Sequence, residues 1–288
     1  MKILLLGKRG QIGKEIVNNF EGVSNFFSYD SDQLNFLDTN KVLKTIDDVK
    51  PEIIINAAAF TDVNGAENNK DEAFKLNAEI VGEIAVSAKK NNARLIHFST
   101  DYVFNGKKSL PYNEDDTTEP LSIYGLSKLN GENLILKSGC NFVIIRTSWV
   151  ISKYENNFLT KIVDQILTKD IIKVVNDQFG AVTSANFIAK IITKIIYTNI
   201  KSGIYHLASS GTASWYDIAI YILNELRDDR DFINQKNVKI YPISSNLQKN
   251  HAIRPKNSSL DCSKLEKILK YKFPHWKIEI KKIIKSLL

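Results

Sequence analysis

The sequence predicts an α/β protein with a doubly wound parallel sheet and a smaller α/β region toward the C-terminus. Short apolar runs alternate with longer amphipathic stretches through the first two-thirds of the chain, the pattern of repeated βαβ units. The runs Ile3-Leu4-Leu5-Leu6, Ile53-Ile54-Ile55 and Phe142-Val143-Ile144-Ile145 are apolar at every position, as strands covered by helices on both faces are. A glycine-rich turn, Gly7-Lys8-Arg9-Gly10-Gln11-Ile12-Gly13, directly follows the first run and opens the first amphipathic stretch.

Taken in order, strands are expected at residues 2–6, 25–29, 52–56, 94–99, 141–147 and 171–175, each a short run rich in β-branched or aromatic residues. Helices are expected between and after them at 11–20, 39–49, 70–91, 122–137, 156–168 and 185–197. In the long third helix Phe74, Ile80, Ile84 and Ala88 fall near the helical period, so one face packs on the sheet. Beyond residue 150 the alternation loosens, and 203–207, 215–226, 238–243 and 276–288 read as smaller pieces. Residues 1–150 therefore form the expected first domain, completed by parts of 151–200, and 151–288 mainly a second region interleaved with it. No repeat, low-complexity block or Pro/Ser-rich linker interrupts the chain.

The 288 residues, 43% hydrophobic and 25% charged, suit a globular protein and exclude disordered and fibrous classes. No apolar window approaches the length of a membrane span, and the N-terminus has only a short apolar run, so neither a signal peptide nor a membrane partner is expected. Cys140 and Cys262 lack metal-ligand spacing and are too few for a disulfide framework, pointing to a cytoplasmic location. The net charge of +7 suits an anionic small ligand, but the lysines are scattered rather than gathered, so no nucleic acid is expected. His97, His206, His251 and His275 show no zinc-site spacing and read as structural; no metal site is expected.

The glycine turn carries chemistry. Glycines let a backbone approach a pyrophosphate closely, and the following helix N-terminus favours its charge. With 13 glycines in the chain, this spacing arises by chance at only about 0.03 places. Gly7, Gly10, Gln11, Ile12 and Gly13 are thus candidate cofactor contacts on a Rossmann-type sheet. Asp30 closes the second strand where a carboxylate holds a ribose hydroxyl and favours NADH, whereas Lys8 and Arg9 stand where cations meet the 2′-phosphate of NADPH. Both cofactors stay open.

A Tyr-x-x-x-Lys pair is less specific, because 11 tyrosines and 33 lysines predict about 1.3 occurrences by chance. Two occur, Tyr124/Lys128 and Tyr197/Lys201, and only the first opens a helix after a strand-end Thr-Asp; the second reads as a solvated helix end. Reduction of a carbonyl needs a proton donor at the developing alkoxide. The Tyr124/Lys128 pair resembles the catalytic hallmark of the short-chain dehydrogenase/reductase superfamily, and the resemblance implies that Tyr124 is that donor; a neighbouring Lys128 ammonium would lower its pKa, and Thr100 adds a hydroxyl at the strand's C-terminal end.

The glycine spacing and Tyr-x-x-x-Lys pair resemble the short-chain dehydrogenase/reductase superfamily. Within it, Asn56-Ala57-Ala58-Ala59-Phe60-Thr61, Phe98 to Phe104, Tyr124-Gly125 with Ser127-Lys128, Arg146-Thr147-Ser148-Trp149, Asn176 to Gly180 and Arg254-Pro255 with Asn257-Ser258 resemble the dTDP-4-dehydrorhamnose reductase family, in order and spacing and nearly end to end. The resemblance implies NAD(P)H-dependent reduction of a nucleotide-sugar C4 ketone, the last step of dTDP-rhamnose synthesis. It implies catalytic Thr100, Tyr124 and Lys128, with Tyr124 and Lys128 also at the cofactor. Further implied cofactor contacts are Ala59, Phe60, Thr61 and Phe98. Substrate contacts would be Thr100, Asp101 and Trp149, with Arg254 a diphosphate ligand by charge and motif position. Near the adenine, Asn35 and Phe36 stand where the family has an acidic residue followed by an apolar one. At the family's Mg²⁺ dimer site the chain reads Ser184-Ala185-Asn186-Phe187-Ile188, without carboxylates, so a monomer or homodimer without metal is expected. The run Val150-Ile151-Ser152-Lys153 also departs from the Tyr-Gly often following the tryptophan. A reductase or epimerase of another nucleotide-activated 6-deoxyhexose, and a non-catalytic regulatory subunit, remain alternative readings. Tyr102 after Thr100-Asp101 argues against a dehydratase, which needs a carboxylate there.

Overall fold

A computed structural model describes residues 1–154, 157–228, 238–247 and 252–287. Asn156, at the start of one expected helix, His251 and Leu288 lie outside the described residues. The chain runs β1 (Ile3–Leu6), α1 (Gln11–Asn19), β2 (Phe26–Tyr29), α2 (Thr39–Val49), β3 (Ile53–Asn56), α3 (Val63–Asn68), α4 (Lys70–Phe74), a π-helical turn (Lys75–Glu79), α5 (Ile80–Lys90) and β4 (Arg94–Thr100). It continues through α6 (Ile123–Ser138), β5 (Asn141–Thr147), β6 (Val150–Ile151), α7 (Phe158–Thr168), β7 (Ile171–Val175), β8 (Phe179–Gly180), β9 (Thr183–Ser184) and α8 (Ala185–Ile196). The remainder is β10 (Gly203–His206), β11 (Ala213–Ser214), α9 (Trp215–Asp228), β12 (Lys239–Ile243), α10 (Ser263–Leu269) and α11 (Trp276–Leu287).

Six parallel strands form the main sheet in the order β10-β5-β4-β3-β1-β2. Side-chain alternation splits its contents between two cores. Ile3, Leu5, Ile53, Ile55, Ile96, Val143 and Ile145 face α1 and α8, whereas Leu4, Leu6, Ile54, Leu95 and Ile144 face α2, α5 and α6. The strand order reverses between β1 and β3, which sets a crevice at their C-terminal ends, where ligands of such sheets bind. The glycine turn after β1 and residues 59–61 after β3 border it.

The expected sixth strand at 171–175 is not in this sheet. Ile171 and Lys173 are exposed while Ile172 and Val174 are buried, a one-faced pattern unfit for a sheet covered on both sides. It pairs instead with β12, over a separate core shared with α7, α9 and α11. The sixth place is taken by β10, reached through α8 and paired with β5. The expected helix at 70–91 is interrupted by the π-helical turn, and α3 and α10 were not anticipated.

Candidate active site

The first turn of α6 is set by two local features. Ser122 caps it by accepting from the Gly125 amide at 3.2 Å, and Gly125 lets the helix lie on the Tyr102 carbonyl, since a Cβ there would sit 2.2 Å from that oxygen. Tyr124 is thereby carried to the end of β4. Its ring meets Tyr102 edge-on, with centroids 5.9 Å apart, and its hydroxyl meets Thr100. Burial pushes the Tyr124 phenol up, against the Thr100 hydrogen bond, with the Asp101 charge adding to the rise. The phenol is therefore a proton-carrying acid, in place of the lowered pKa expected beside a Lys128 ammonium.

Thr100 donates to Asp101 Oδ1 at 3.0 Å and accepts from the Tyr102 amide at 3.2 Å. Asp101, 2% exposed, is pushed up to about 7 by burial, opposed by hydrogen bonds from Ser258 and Thr100 and by the charge of Arg254. Arg254 also bonds Tyr102, whose phenol burial pushes up to about 12. Among the described residues Arg254 Nε has no partner, although it is buried. The C-terminal motif Arg254 to Ser258 thus meets the Thr100-Asp101 strand end directly.

Lys128, one turn beyond Tyr124, is 2% exposed, and burial pulls it down to about 8, with Glu132 opposing. Its Nζ lies 3.3 Å from His97 Nε2, while His97 Nδ1 lies 3.3 Å from Asn56 Nδ2. The reading of His97 as merely structural missed this contact; its place three residues before Thr100 on the same strand was the available signal. Glu132 is held by Arg146 through two bonds of 2.9 and 2.7 Å and by Ser99 at 2.5 Å, a buried brace joining α6, β4 and β5. Asn77 was also missed. It sits in the π-helical turn, bonds the Phe60 backbone twice and reaches Ser127 at 3.0 Å, which ties residues 59–61 to α6.

The glycine turn fits a dinucleotide. Gly7 has φ 91°, and its Cβ would strike Ala58 N at 2.6 Å; at Gly13 a Cβ would meet Gly7 O at 2.1 Å. These two pack the turn tightly, whereas Gly10 faces open space beyond Gly7 O at 3.7 Å. Among the described residues no side chain caps α1, the kind of helix N-terminus that suits an anion. The Gln11 side chain is engaged with the chain itself, accepting from Ser152 Oγ at 2.8 Å and donating to Val150 O at 3.5 Å. Ile12 packs against the core.

At the adenosine end, Asp30 Oδ1 accepts from the Asp32 and Gln33 amides at 3.1 Å each, and Oδ2 stands 3.7 Å from Lys8 Nζ. Arg9 pairs with Asp32. Asn35 is exposed and caps Leu37 at 3.0 Å. The rings of Phe36 and Phe98 pack mainly in the core, 9% and 7% exposed. Ala59 and Phe60 are half-buried and Thr61 exposed at the crevice. Trp149, two residues past Thr147, the register partner of Thr100, has φ 45° and stacks on Trp215 with centroids 3.6 Å apart. One indole face is therefore covered, and Gly180 lies against the ring edge-carbons.

The chain matches the family described as RmlD substrate binding domain over residues 1–288. It is 35% identical to a dTDP-4-dehydrorhamnose reductase of Sinorhizobium fredii and 34% identical to that of Escherichia coli K12, each alignment covering 100% of this chain and 98% of the relative. A solved dTDP-4-dehydrorhamnose reductase from Clostridium acetobutylicum superposes with a TM-score of 0.93 at 33% identity, covering 100% of this chain and 99% of that one. One from Bacillus anthracis, in complex with NADP, gives 0.91 at 30% identity, covering 99% and 100%. With the fold, the Tyr124 and Lys128 pair and these full-length matches together, the chain belongs to the dTDP-4-dehydrorhamnose reductase family.

Proposed function

We propose that the chain reduces the C4 ketone of dTDP-4-dehydro-L-rhamnose to dTDP-L-rhamnose, using NADPH or NADH. The observation that carries this reading is the meeting of Tyr124 with Thr100 at the C-terminal end of β4, with Lys128 buried one turn on. The cofactor, when bound, supplies hydride to C4. Tyr124, held protonated by its surroundings, gives its proton to the ketone oxygen, and Thr100 orients that oxygen by hydrogen bonding. Lys128 binds the nicotinamide ribose and supports the phenolate left behind. Asp101 and Arg254 bind the nucleotide sugar, Arg254 through the Nε left without a partner.

In this reading the cofactor half comprises residues 1–150 with α8 and β10, and the substrate half is assembled over the core of α7, α9 and α11. The partner is a nucleotide sugar, and a diffusible nicotinamide cofactor suits a cytoplasmic monomer or homodimer. No described helix is long and apolar enough to cross a membrane. The test is nicotinamide oxidation with dTDP-4-dehydro-L-rhamnose. Tyr124→Phe should lose about 10²-fold or more in kcat while still binding NADPH. No turnover by folded wild type with either cofactor would overturn the reading.

A further inference from the structure

Asn56, His97 and Lys128 form a buried line across β3, β4 and α6, exposed by only 3%, 0% and 2%. Its donor pattern is fixed from one end. Asn56 Oδ1 accepts from the Ala58 amide at 3.2 Å, and a backbone N–H only donates, so the Asn56 Nδ2 is the group that faces His97 Nδ1. Nδ2 donates, so Nδ1 must offer its lone pair. His97 is neutral, because its complete burial alone already holds it well below its usual range. A neutral imidazole with Nδ1 bare carries its proton on Nε2. That Nε2–H points at Lys128 Nζ. An ammonium has only donors and cannot accept it, whereas an amine has the required lone pair.

We propose that His97 is a positioning residue: its Nε2–H tautomer, locked by Asn56, favours the neutral amine of Lys128 in the cofactor-free enzyme, and cofactor binding shifts Lys128 toward the ammonium by uptake of a proton. The inference rests on the reading of the site as a nicotinamide site. Other groups around Lys128 agree with it. Burial already disfavours the ammonium, and the opposing charge, Glu132 on the same helix, is bound by Arg146 and Ser99. From β3 the line meets the uncharged Asn56. Asp101 and Tyr102 act at Tyr124, toward the other end of the site. Ribose hydroxyls offer Lys128 acceptors, and the pyrophosphate adds negative charge, so the bound state favours the ammonium. The proton comes from solvent. The ammonium that supports the Tyr124 phenolate is then favoured once the cofactor is in place.

Calorimetry of NADPH and NADH binding to the wild-type protein tests this, in two buffers of different ionisation enthalpy. At about pH 8 the binding enthalpy should depend on buffer with an uptake of about half a proton, shrinking toward zero near pH 6. Buffer-independent heat at pH 8 overturns the proposal alone; no binding of either cofactor overturns the underlying reading instead. His97→Gln, whose carbonyl oxygen accepts from an ammonium, should bind cofactor with clearly less uptake at pH 8 than the wild type, and uptake equal to that of the wild type sinks the role of His97. Nitrogen NMR of histidine-labelled wild type needs no variant: the His97 proton is expected on Nε2, and finding it on Nδ1 overturns the assignment.

Discussion

Asn77 grips the Phe60 backbone from both sides, its Oδ1 accepting from the Phe60 amide at 2.9 Å and its Nδ2 donating to the Phe60 carbonyl at 3.0 Å. The same Nδ2 reaches Ser127 Oγ at 3.0 Å, and Ser127 in turn donates to the Tyr124 carbonyl at 2.8 Å. One fully buried amide thus couples the cofactor-side loop to the catalytic helix. The π-helical turn is what aims it, since widening the helix by one residue redirects that side chain.

Asn77→Ala should cost about 1–3 kcal/mol, because it leaves both polar groups of Phe60 without their partner. Cofactor affinity should fall more than kcat, as Phe60 lies on the cofactor side. Urea unfolding and NADPH titration check this; unchanged affinity with lowered stability would show that Asn77 only braces the fold.

Gly125→Ala places a methyl 2.2 Å from the Tyr102 carbonyl, so the start of α6 must move away from β4. A displacement of about 1 Å at Tyr124 is enough to cost about 10²-fold in kcat. Steady-state kinetics read this directly. Near-normal kcat would mean that the helix N-terminus yields without moving the phenol.

Much of this arrangement was legible in the sequence because it is local. The glycine turn, the strand-end Thr100 and the spacing of Tyr124 and Lys128 each lie within one element and its cap. His97 and Asn77 were not legible, because their roles depend on partners 31 and 50 residues away. The same limit explains the misplaced sixth strand. An apolar pentapeptide says that a strand forms, but only its pairing with β12 shows which sheet it joins.

The Glu132 and Arg146 pair predicts a steep asymmetry between single and double replacements. Both side chains are buried, so Glu132→Gln leaves an uncompensated guanidinium and should lose about 3–5 kcal/mol. Replacing both, as Glu132→Leu with Arg146→Met, should lose less than either single change, because no buried charge remains. Denaturant unfolding of the three variants decides it, and simple additivity would contradict the pairing.

Trp215→Ala removes the partner that covers one face of Trp149. A stacked aromatic pair contributes about 0.5–1.5 kcal/mol beyond its buried area, and here it also holds Trp149 at φ 45°, a costly conformation for a bulky residue. KM for the nucleotide sugar should rise about 2- to 10-fold with cofactor affinity kept. The coupled far-ultraviolet circular dichroism of the two stacked indoles should vanish in the variant. Its persistence would mean that the signal comes from elsewhere.

Asp101 gives the wild type an unusual pH dependence of stability. Unfolded, its carboxyl ionises near the ordinary 3.8; folded, near 7, because burial outweighs the help of Ser258, Thr100 and Arg254. Between those values the folded protein keeps a proton that the unfolded chain has lost. Stability from this group therefore falls as pH rises through the window, by roughly 4 kcal/mol at most, and stays low above it. His206 works in the opposite direction. Burial holds it down to about 3, so below its ordinary 6.5 the unfolded chain takes a proton that the folded protein refuses, and stability rises with pH there. His97, likewise held well below its usual range by burial, adds to the slope of His206 and against that of Asp101, so the wild-type profile does not isolate the carboxyl. The difference between wild type and Asp101→Asn isolates the carboxyl, since His206 is common to both. That difference should grow in favour of the variant from about pH 4 to pH 7 in urea unfolding. A constant difference across that range would mean that Asp101 ionises in the folded protein as an ordinary carboxylate does.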